Sequence, residues 1–324
     1  MFRSLVRLAR WLAPAALLVS LSACLAPDIP YEDLERRYGG PTSRYLDLPD
    51  GLRVHYRDEG AAAAPTTLVL VHGFAASLHT WEPWVERLGQ DYRIVSLDLP
   101  GHGLTRAPED YQSSPEGQVA VVRALAQALD LPPFVIAGNS MGGGVAWRYA
   151  LAHPEQARGL VLVNAAGWPQ AQGEGADRRP VVFKMLENPV GRSLLRNLDP
   201  RPLAGRGLRQ AYGDDEMVTP EMIDRYVALA RAPGHRAILT DPRRRGAGAP
   251  VTPETFAAIT APTLVMVGAL DQVIPAARSA GFAEAIPGAE KIVYPEGGHI
   301  PMEQLADRSA DDLRTFLERL PPAP

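Results

Sequence analysis

Short runs of wholly apolar residues punctuate the chain: TLVLV (67–71), RIVSL (93–97), FVIA (134–137), LVLV (160–163), TLVMV (263–267) and KIVY (291–294). Apolar residues at successive rather than alternate positions predict strands buried on both faces, as in a parallel sheet. Between the runs the pattern lengthens to a helical period. Ser114-Pro115 supplies an N-cap and first-turn pair, after which Val119, Val122, Leu125 and Leu129 share one face. Thr252-Pro253-Glu254 opens another helix in the same way. Strand and helix in alternation predict a doubly wound α/β sheet. Ahead of these runs, RYLDL and LRVHYRD flank the turn signal Pro49-Asp50-Gly51 and predict two more short strands.

One stretch breaks the rhythm. From Trp168 to Pro250 there is no strong strand signal, only helical pieces such as RPVVFKMLENPVGRSLLRNL among Arg, Pro and Gly. A structureless loop of that length is foreign to a compact domain. The segment is expected to be a helical insertion over the C-terminal edge of the sheet, where ligands bind in open α/β folds.

The amino-terminal end has a different character. Arg3, Arg7 and Arg10 precede an apolar segment, Trp11 to Val19, and LSAC follows at 21–24. The apolar part is short for a bilayer span and is interrupted by Pro14, but it suits a secretory signal peptide. LSAC resembles the lipobox of bacterial lipoproteins. That resemblance implies a signal peptide over 1–23, lipidation at Cys24, and export to the periplasmic face of the outer membrane, since Leu25 rather than Asp follows. Residues 24–43, with Pro27, Pro30, Gly39, Gly40 and Pro41, are expected to form a tether reaching on the order of 50–60 Å.

Composition removes several function classes. The formal net charge of the 324 residues is −4 and no basic field dominates, so nucleic acid is not an expected partner. The single cysteine leaves no disulfide framework and no thiolate metal cluster, and no cofactor or metal is expected.

Chemistry enters at Gly138-Asn139-Ser140-Met141-Gly142, directly after one expected strand and before one expected helix. This G-x-S-x-G pattern in a strand-turn-helix setting forms a strained turn that stands a serine hydroxyl clear of the sheet. A serine needs a base, and the base needs an orienting carboxylate. Asp271 lies just past one apolar run and His299 just past the last, giving the order Ser, Asp, His. Asn164 occupies the alternative acid position after the sixth strand, which leaves Asp271. His79 and His102 are loop residues within reach of such a site, and His72 is expected to brace its loop. Oxyanion donors are expected at the backbone N–H groups of Phe74, after Gly73, and of Met141.

VHGFAASLHTWEPWVERL, DYRIVSLDLPGHGLT, GNSMGGGVAWRYALAHPEQARGLVLVNAAG, LVMVGALDQVIP and GGHIPMEQ resemble the α/β-hydrolase superfamily. The resemblance implies a mostly parallel eight-stranded sheet flanked by helices, with a core over 44–167 and 251–324. A helical cap (168–250) would be inserted after strand 6. It also implies Ser140 as nucleophile, Asp271 as acid, His299 as base, a structural role for Asp98, and Trp168 and Ile300 as pocket walls. The expected activity is hydrolysis of a small-molecule carboxylic ester or lactone through an acyl-enzyme. GNSMGG also resembles the C–C bond hydrolases of aromatic meta-cleavage pathways, with Arg192 or Arg196 as conceivable carboxylate anchors. Those enzymes, however, have a more glycine-rich oxyanion loop and a tryptophan after the histidine, where this chain has Ile300. Perhydrolase- or haloperoxidase-like activity on the same triad and a non-catalytic binding module are the remaining alternatives.

Overall fold

The computed structural model describes residues 25–169, 180–244, 246 and 248–321. The expected signal peptide and Cys24 lie outside them. Among the described residues eight strands form one sheet. They are β1 (Ser43–Asp47), β2 (Arg53–Gly60), β3 (Thr67–Val71), β4 (Arg93–Leu97), β5 (Phe134–Asn139), β6 (Ala157–Val163), β7 (Thr263–Gly268) and β8 (Glu290–Tyr294). The spatial order is β1-β2-β4-β3-β5-β6-β7-β8. β2 pairs antiparallel with β1 and with β4, and every other pairing is parallel. From β3 the chain steps outward to β4 on one side and returns to β5 on the other. The C-terminal ends of β3 and β5 therefore border the crevice in which open α/β sheets bind ligands.

The apolar runs are divided between two faces because successive strand residues point opposite ways. Val69, Val71, Ile136, Leu160, Leu162 and Val265 enter one core, and Leu68, Leu70, Val135, Val161, Val163 and Leu264 the other. Each such side chain contributes about 1.5–3 kcal/mol on burial. The helix Pro115–Ala128 starts where expected: the Ser114 hydroxyl accepts from the Gly117 N–H at 2.9 Å, and Val119, Val122 and Leu125 are buried. β8 differs from the reading of KIVY as a strand covered on both faces. It is the sheet edge, so Tyr294 is buried while Val293 stands exposed.

Between β6 and β7 the chain carries the helices Val181–Glu187, Pro189–Asn197, Arg201–Tyr212, Pro220–Ala230 and His235–Thr240, with no strand among the described residues there. Asn188 caps the second of these through Val190 N–H (2.8 Å), and Thr219 caps the fourth through Met222 N–H (3.2 Å).

The expected extended tether over 24–43 is corrected. Residues 25–38 fold back onto the insertion and the Leu104 loop, with a helix at Tyr31–Tyr38 whose Leu34 is fully buried against Leu104, Ala228, Leu229 and Ala232. The Ile29 N–H donates to Arg231 O at 2.7 Å, the Ala26 N–H to Asn197 O at 3.0 Å, and Arg236 pairs with Asp28 at 2.6 Å. Pro30, taken as a mark of looseness, instead sits at the N-cap of that helix.

Candidate active site

Ser140 sits between the end of β5 and the helix Met141–Ala152 with φ 53° and ψ −118°. For a residue with a side chain this conformation costs of order 1–3 kcal/mol, and the surroundings must enforce it. They do so by close approach. A Cβ on Gly142 would stand 2.0 Å from Val71 O, and one on Gly138 would stand 2.2 Å from Gly142 O. The glycines of G-x-S-x-G are thus required by contact with the β3 backbone and with the turn itself. The Ser140 N–H donates to Val163 O at 3.0 Å and its carbonyl accepts from the Ala166 N–H at 2.9 Å, fixing the elbow on both sides.

Asp271 and His299 come from the loops after β7 and β8. His299 Nδ1 donates to Asp271 Oδ2 at 2.7 Å, and both residues are buried. Asp271 Oδ1 accepts from the N–H groups of Val273 (2.7 Å) and Ile274 (2.9 Å), so the carboxylate is held in place from the opposite side. With Nδ1–H committed to Asp271, the lone pair of the imidazole lies on Nε2. Ser140 and His299 line one cavity.

Two asparagines, whose parts the sequence did not disclose, hold the histidine loop. Asn139 Nδ2 and Asn164 Nδ2 each donate to His299 O at 3.0 Å, and Asn164 Nδ2 also donates to Gly298 O at 2.9 Å. Asn164 Oδ1 accepts from the Gly268 N–H at 3.0 Å, joining β7 to the same loop. The insertion supplies the last restraint, since the His299 N–H donates to Ala211 O at 2.6 Å.

The loop after β3 lies against the elbow. A Cβ on Gly73 would be 3.2 Å from Ser140 Cβ, so the next residue, Phe74, begins beside the serine. His72 Nδ1 donates to Gly73 O at 2.7 Å and Nε2 accepts from the Leu99 N–H at 3.0 Å, which is the bracing role expected of it. Burial pushes the His72 imidazole below its usual pKa, in keeping with a neutral ring that both donates and accepts.

Asp98 anchors the neighbouring loop from beneath. Its carboxylate accepts from His55 Nδ1 (2.7 Å), Leu78 N–H (2.7 Å) and Leu104 N–H (2.8 Å). Burial alone would raise this carboxyl, but the His55 hydrogen bond and the nearby imidazoles hold it far below the usual range. His79, expected within reach of the site, bonds instead to Tyr38 O at 2.9 Å. His102 does reach the wall of a cavity, packed edge-on to Phe74, and burial keeps its imidazole neutral.

Two cavities meet at Ser140. One of about 230 Å³ holds His299 and Ile300 and is walled by Leu195, Leu203, Leu208 and Ala211 from the insertion. The other, about 550 Å³, runs past His102, Met141, Trp168 and Ile238. Phe74, Ser140, Pro180, Phe183 and Val273 border both. Ile300 is therefore a wall of the cavity that contains His299. Trp168 lines the larger one at its edge, while its indole stacks on Phe256 with ring centroids 5.4 Å apart. Phe183 had no signal in the sequence; it meets Phe74 across the junction at 5.7 Å. Arg192 and Arg196 border neither cavity: the first donates to Leu186 O and the second to Thr240 Oγ1. No cluster among the described residues has the make-up of a metal site.

The chain is 30% identical over 275 residues to the 2-hydroxymuconate semialdehyde hydrolase of Pseudomonas sp. (strain CF600), covering 82% of this chain and 91% of that one. It is 26% identical over 291 residues to Lipase 1 of Psychrobacter immobilis, covering 87% and 86%. In three dimensions it superposes on a bacterial membrane phospholipase A with a TM-score of 0.71 at 26% identity, covering 99% of both chains. The alpha/beta hydrolase fold family matches residues 66–304, across the elbow, the Asp271 loop and the His299 loop alike, and the chain belongs to that family.

Proposed function

We propose that this α/β hydrolase cleaves carboxylic esters or lactones through an acyl-enzyme on Ser140. His299 Nε2 takes the proton of the Ser140 hydroxyl as Oγ attacks the carbonyl carbon, and Asp271 stabilises the imidazolium. The N–H groups of Phe74 and Met141 receive the oxyanion, a type of contact worth about 2.7–4 kcal/mol per donor. The C–O bond then breaks as His299 returns the proton to the leaving alcohol. Water then gives a proton to His299 as its oxygen attacks the acyl carbon. The bond to Ser140 Oγ breaks to release the acid, and His299 returns the proton to Oγ.

The observation that carries the choice of substrate is the lining of the smaller cavity. The leaving group must lie beside His299, and among the described residues no Asp, Glu, Lys or Arg side chain borders that space. An alcohol or the ring methylenes of a lactone suit such a surface. The carboxylate of a meta-cleavage dienoate would be buried there without an arginine or lysine partner, at a cost of several kcal/mol. Likeness to a lipase and to a membrane phospholipase A supports the same reading. Likeness to a 2-hydroxymuconate semialdehyde hydrolase makes C–C bond hydrolysis the second reading. A panel of chromogenic esters, a lactone and a meta-cleavage dienoate separates them. Esters or lactones are expected to lead by at least about 100-fold in kcat/KM, equivalent to about 2.7 kcal/mol. Equal or faster dienoate turnover overturns the choice.

The proposal extends to location. Arg3, Arg7 and Arg10, the apolar segment from Trp11 and LSAC at 21–24 support export, removal of residues 1–23 and lipidation of Cys24. The proposed destination is the periplasmic face of the outer membrane. Mass spectrometry of the membrane-borne protein tests this: an unmodified Cys24 refutes it.

A further inference from the structure

The exposed large apolar side chains of the described residues are unevenly placed. Val190 is 68% exposed and Leu194 43%, one turn apart on one face of the helix Pro189–Asn197. Leu25, 56% exposed, lies at the end of that helix, bridged to Leu198. Val181, on the adjoining helix, is exposed as well. The remaining two, Leu270 and Val293, stand singly elsewhere, as scattered surface residues commonly do.

We infer that this face of the cap, Leu25 with Val190 and Leu194, docks on an anionic phospholipid bilayer. The proposed mature terminus at Cys24 commits it to that partner. Leu25 directly follows the proposed anchor at Cys24 in the sequence. The inference rests on that proposed anchoring. There is no slack between anchor and cap, because Ala26, Ile29 and Asp28 are each bonded to the insertion and Arg231 Nε donates to Pro27 O at 2.9 Å. Consecutive Cα atoms are about 3.8 Å apart. A lipid on Cys24 therefore holds Leu25, and with it the end of the Val190–Leu194 helix, at the membrane surface.

Charge agrees with this partner. Beside Pro189, at the start of the same helix, Arg192, Arg196 and Arg243 surround the single carboxylate of Asp241. Arg192 and Arg196 lie across the helix from Val190 and Leu194, but Arg196 also borders the hollow at Leu25 with Arg236 and Asp28, so a net positive rim flanks the face and suits anionic headgroups. Leu195, next along the chain from Leu194, lines the cavity of Ser140 and His299. One helix thus separates the docked face from the site, and acyl chains held in the bilayer are the substrates this orientation favours.

The test uses the full-length protein in vesicles of phosphatidylglycerol and phosphatidylcholine. Val190→Cys and, on the far edge of the sheet, Val293→Cys are each labelled with a fluorophore, and spin-labelled lipids serve as quenchers. The fluorophore at position 190 is expected to be quenched at least threefold more than that at 293; equal quenching overturns the inference. Val190→Asp/Leu194→Asp is expected to keep turnover of a short soluble ester within twofold and to lose at least tenfold on a long-chain ester embedded in the vesicles. Parallel loss on both, or on neither, also counts against docking. The parent protein reads the anchor separately, since Cys24 is blocked to thiol labelling only if it is lipidated. If it labels, the lipid anchor fails, and co-sedimentation of the parent against the Asp pair with the same vesicles decides the docking face alone.

Discussion

The backbone N–H of His299 donates to the carbonyl of Ala211 at 2.6 Å, so the proposed catalytic base is held by the last turn of a cap helix. Gly298 makes the approach possible, since a Cβ there would lie 2.4 Å from the same oxygen. The expected result of Gly298→Ala is displacement of the histidine loop or of the cap. Turnover of even the smallest ester should fall by about 10²-fold, the scale of a 1 Å misplacement. Steady-state kinetics beside a thermal melt check this, and unchanged kcat would show that the contact has no part in positioning His299.

Ser140→Ala is expected to leave the fold intact and to lower ester turnover by about 10⁶-fold, with loss of fluorophosphonate labelling. Asp271→Asn should cost about 10⁴-fold, because an amide there favours the wrong imidazole tautomer. Persistent labelling of the Ser140→Ala protein would remove the serine from its assigned role.

Asn164 occupies the alternative acid position but serves a different end. Its amide donates to Gly298 O and His299 O, not to the imidazole. Asn164→Asp would set a carboxylate against two carbonyls, at a cost of about 1–3 kcal/mol from the broken hydrogen bonds. The double variant Asn164→Asp/Asp271→Asn should therefore be no more active than Asp271→Asn alone. Recovery of activity in the double variant would show that position 164 can reach the base.

The proposed triad was legible because each member follows an apolar run, and strand ends are where an α/β sheet presents its chemistry. Ser140 also carried its glycines, whose need is visible in the 2.0 Å approach of a Gly142 Cβ to Val71 O. The docking of residues 25–38 was hidden for a physical reason. Leu34 finds its partners at Leu104 and Ala228–Ala232, far away in sequence, and no local pattern announces such a contact. KIVY misled because an edge strand can be as apolar as a central one. Phe183 was unreadable because a helix period says which residues share a face, not which cavity that face meets.

Glu303 ties the same cap helix to the core in another way. It accepts from Tyr212 OH at 2.8 Å and from Thr80 Oγ1. Burial raises its carboxyl above the usual pKa, although the Thr80 and Tyr212 hydrogen bonds and Arg225 oppose this. A carboxyl raised in the folded state binds its proton more tightly there than in the unfolded chain. Its contribution is full below the unfolded-state pKa and is lost as pH rises through the folded-state value. Glu303→Gln remains neutral and retains an acceptor, so its melting temperature should gain on the wild type as pH rises from about 4.3, the unfolded-state value, through the raised folded-state one. A gap that stays constant across that range would contradict a buried, raised carboxyl.

Phe183, in the insertion, is the residue proposed to set acyl size. Its ring meets Phe74 at 5.7 Å where the two cavities join, and both rings border both spaces. Neither ring supplies a proton or a charge, so shortening Phe183 leaves the Ser140, Asp271 and His299 contacts in place. Phe183→Ala removes the side chain that narrows the passage between about 230 Å³ and about 550 Å³ of space. An acetyl group occupies little of either cavity, and kcat/KM for an acetate ester should change by less than about 3-fold. A long or branched acyl chain must pass the junction and should gain at least about 10-fold relative to acetate, some 1.4 kcal/mol in the transition state. The check is a series of p-nitrophenyl esters of increasing acyl length on wild type and variant. Equal losses along the whole series would place Phe183 in the support of the catalytic core, and a profile unmoved by the substitution would mean that acyl chains do not cross the junction.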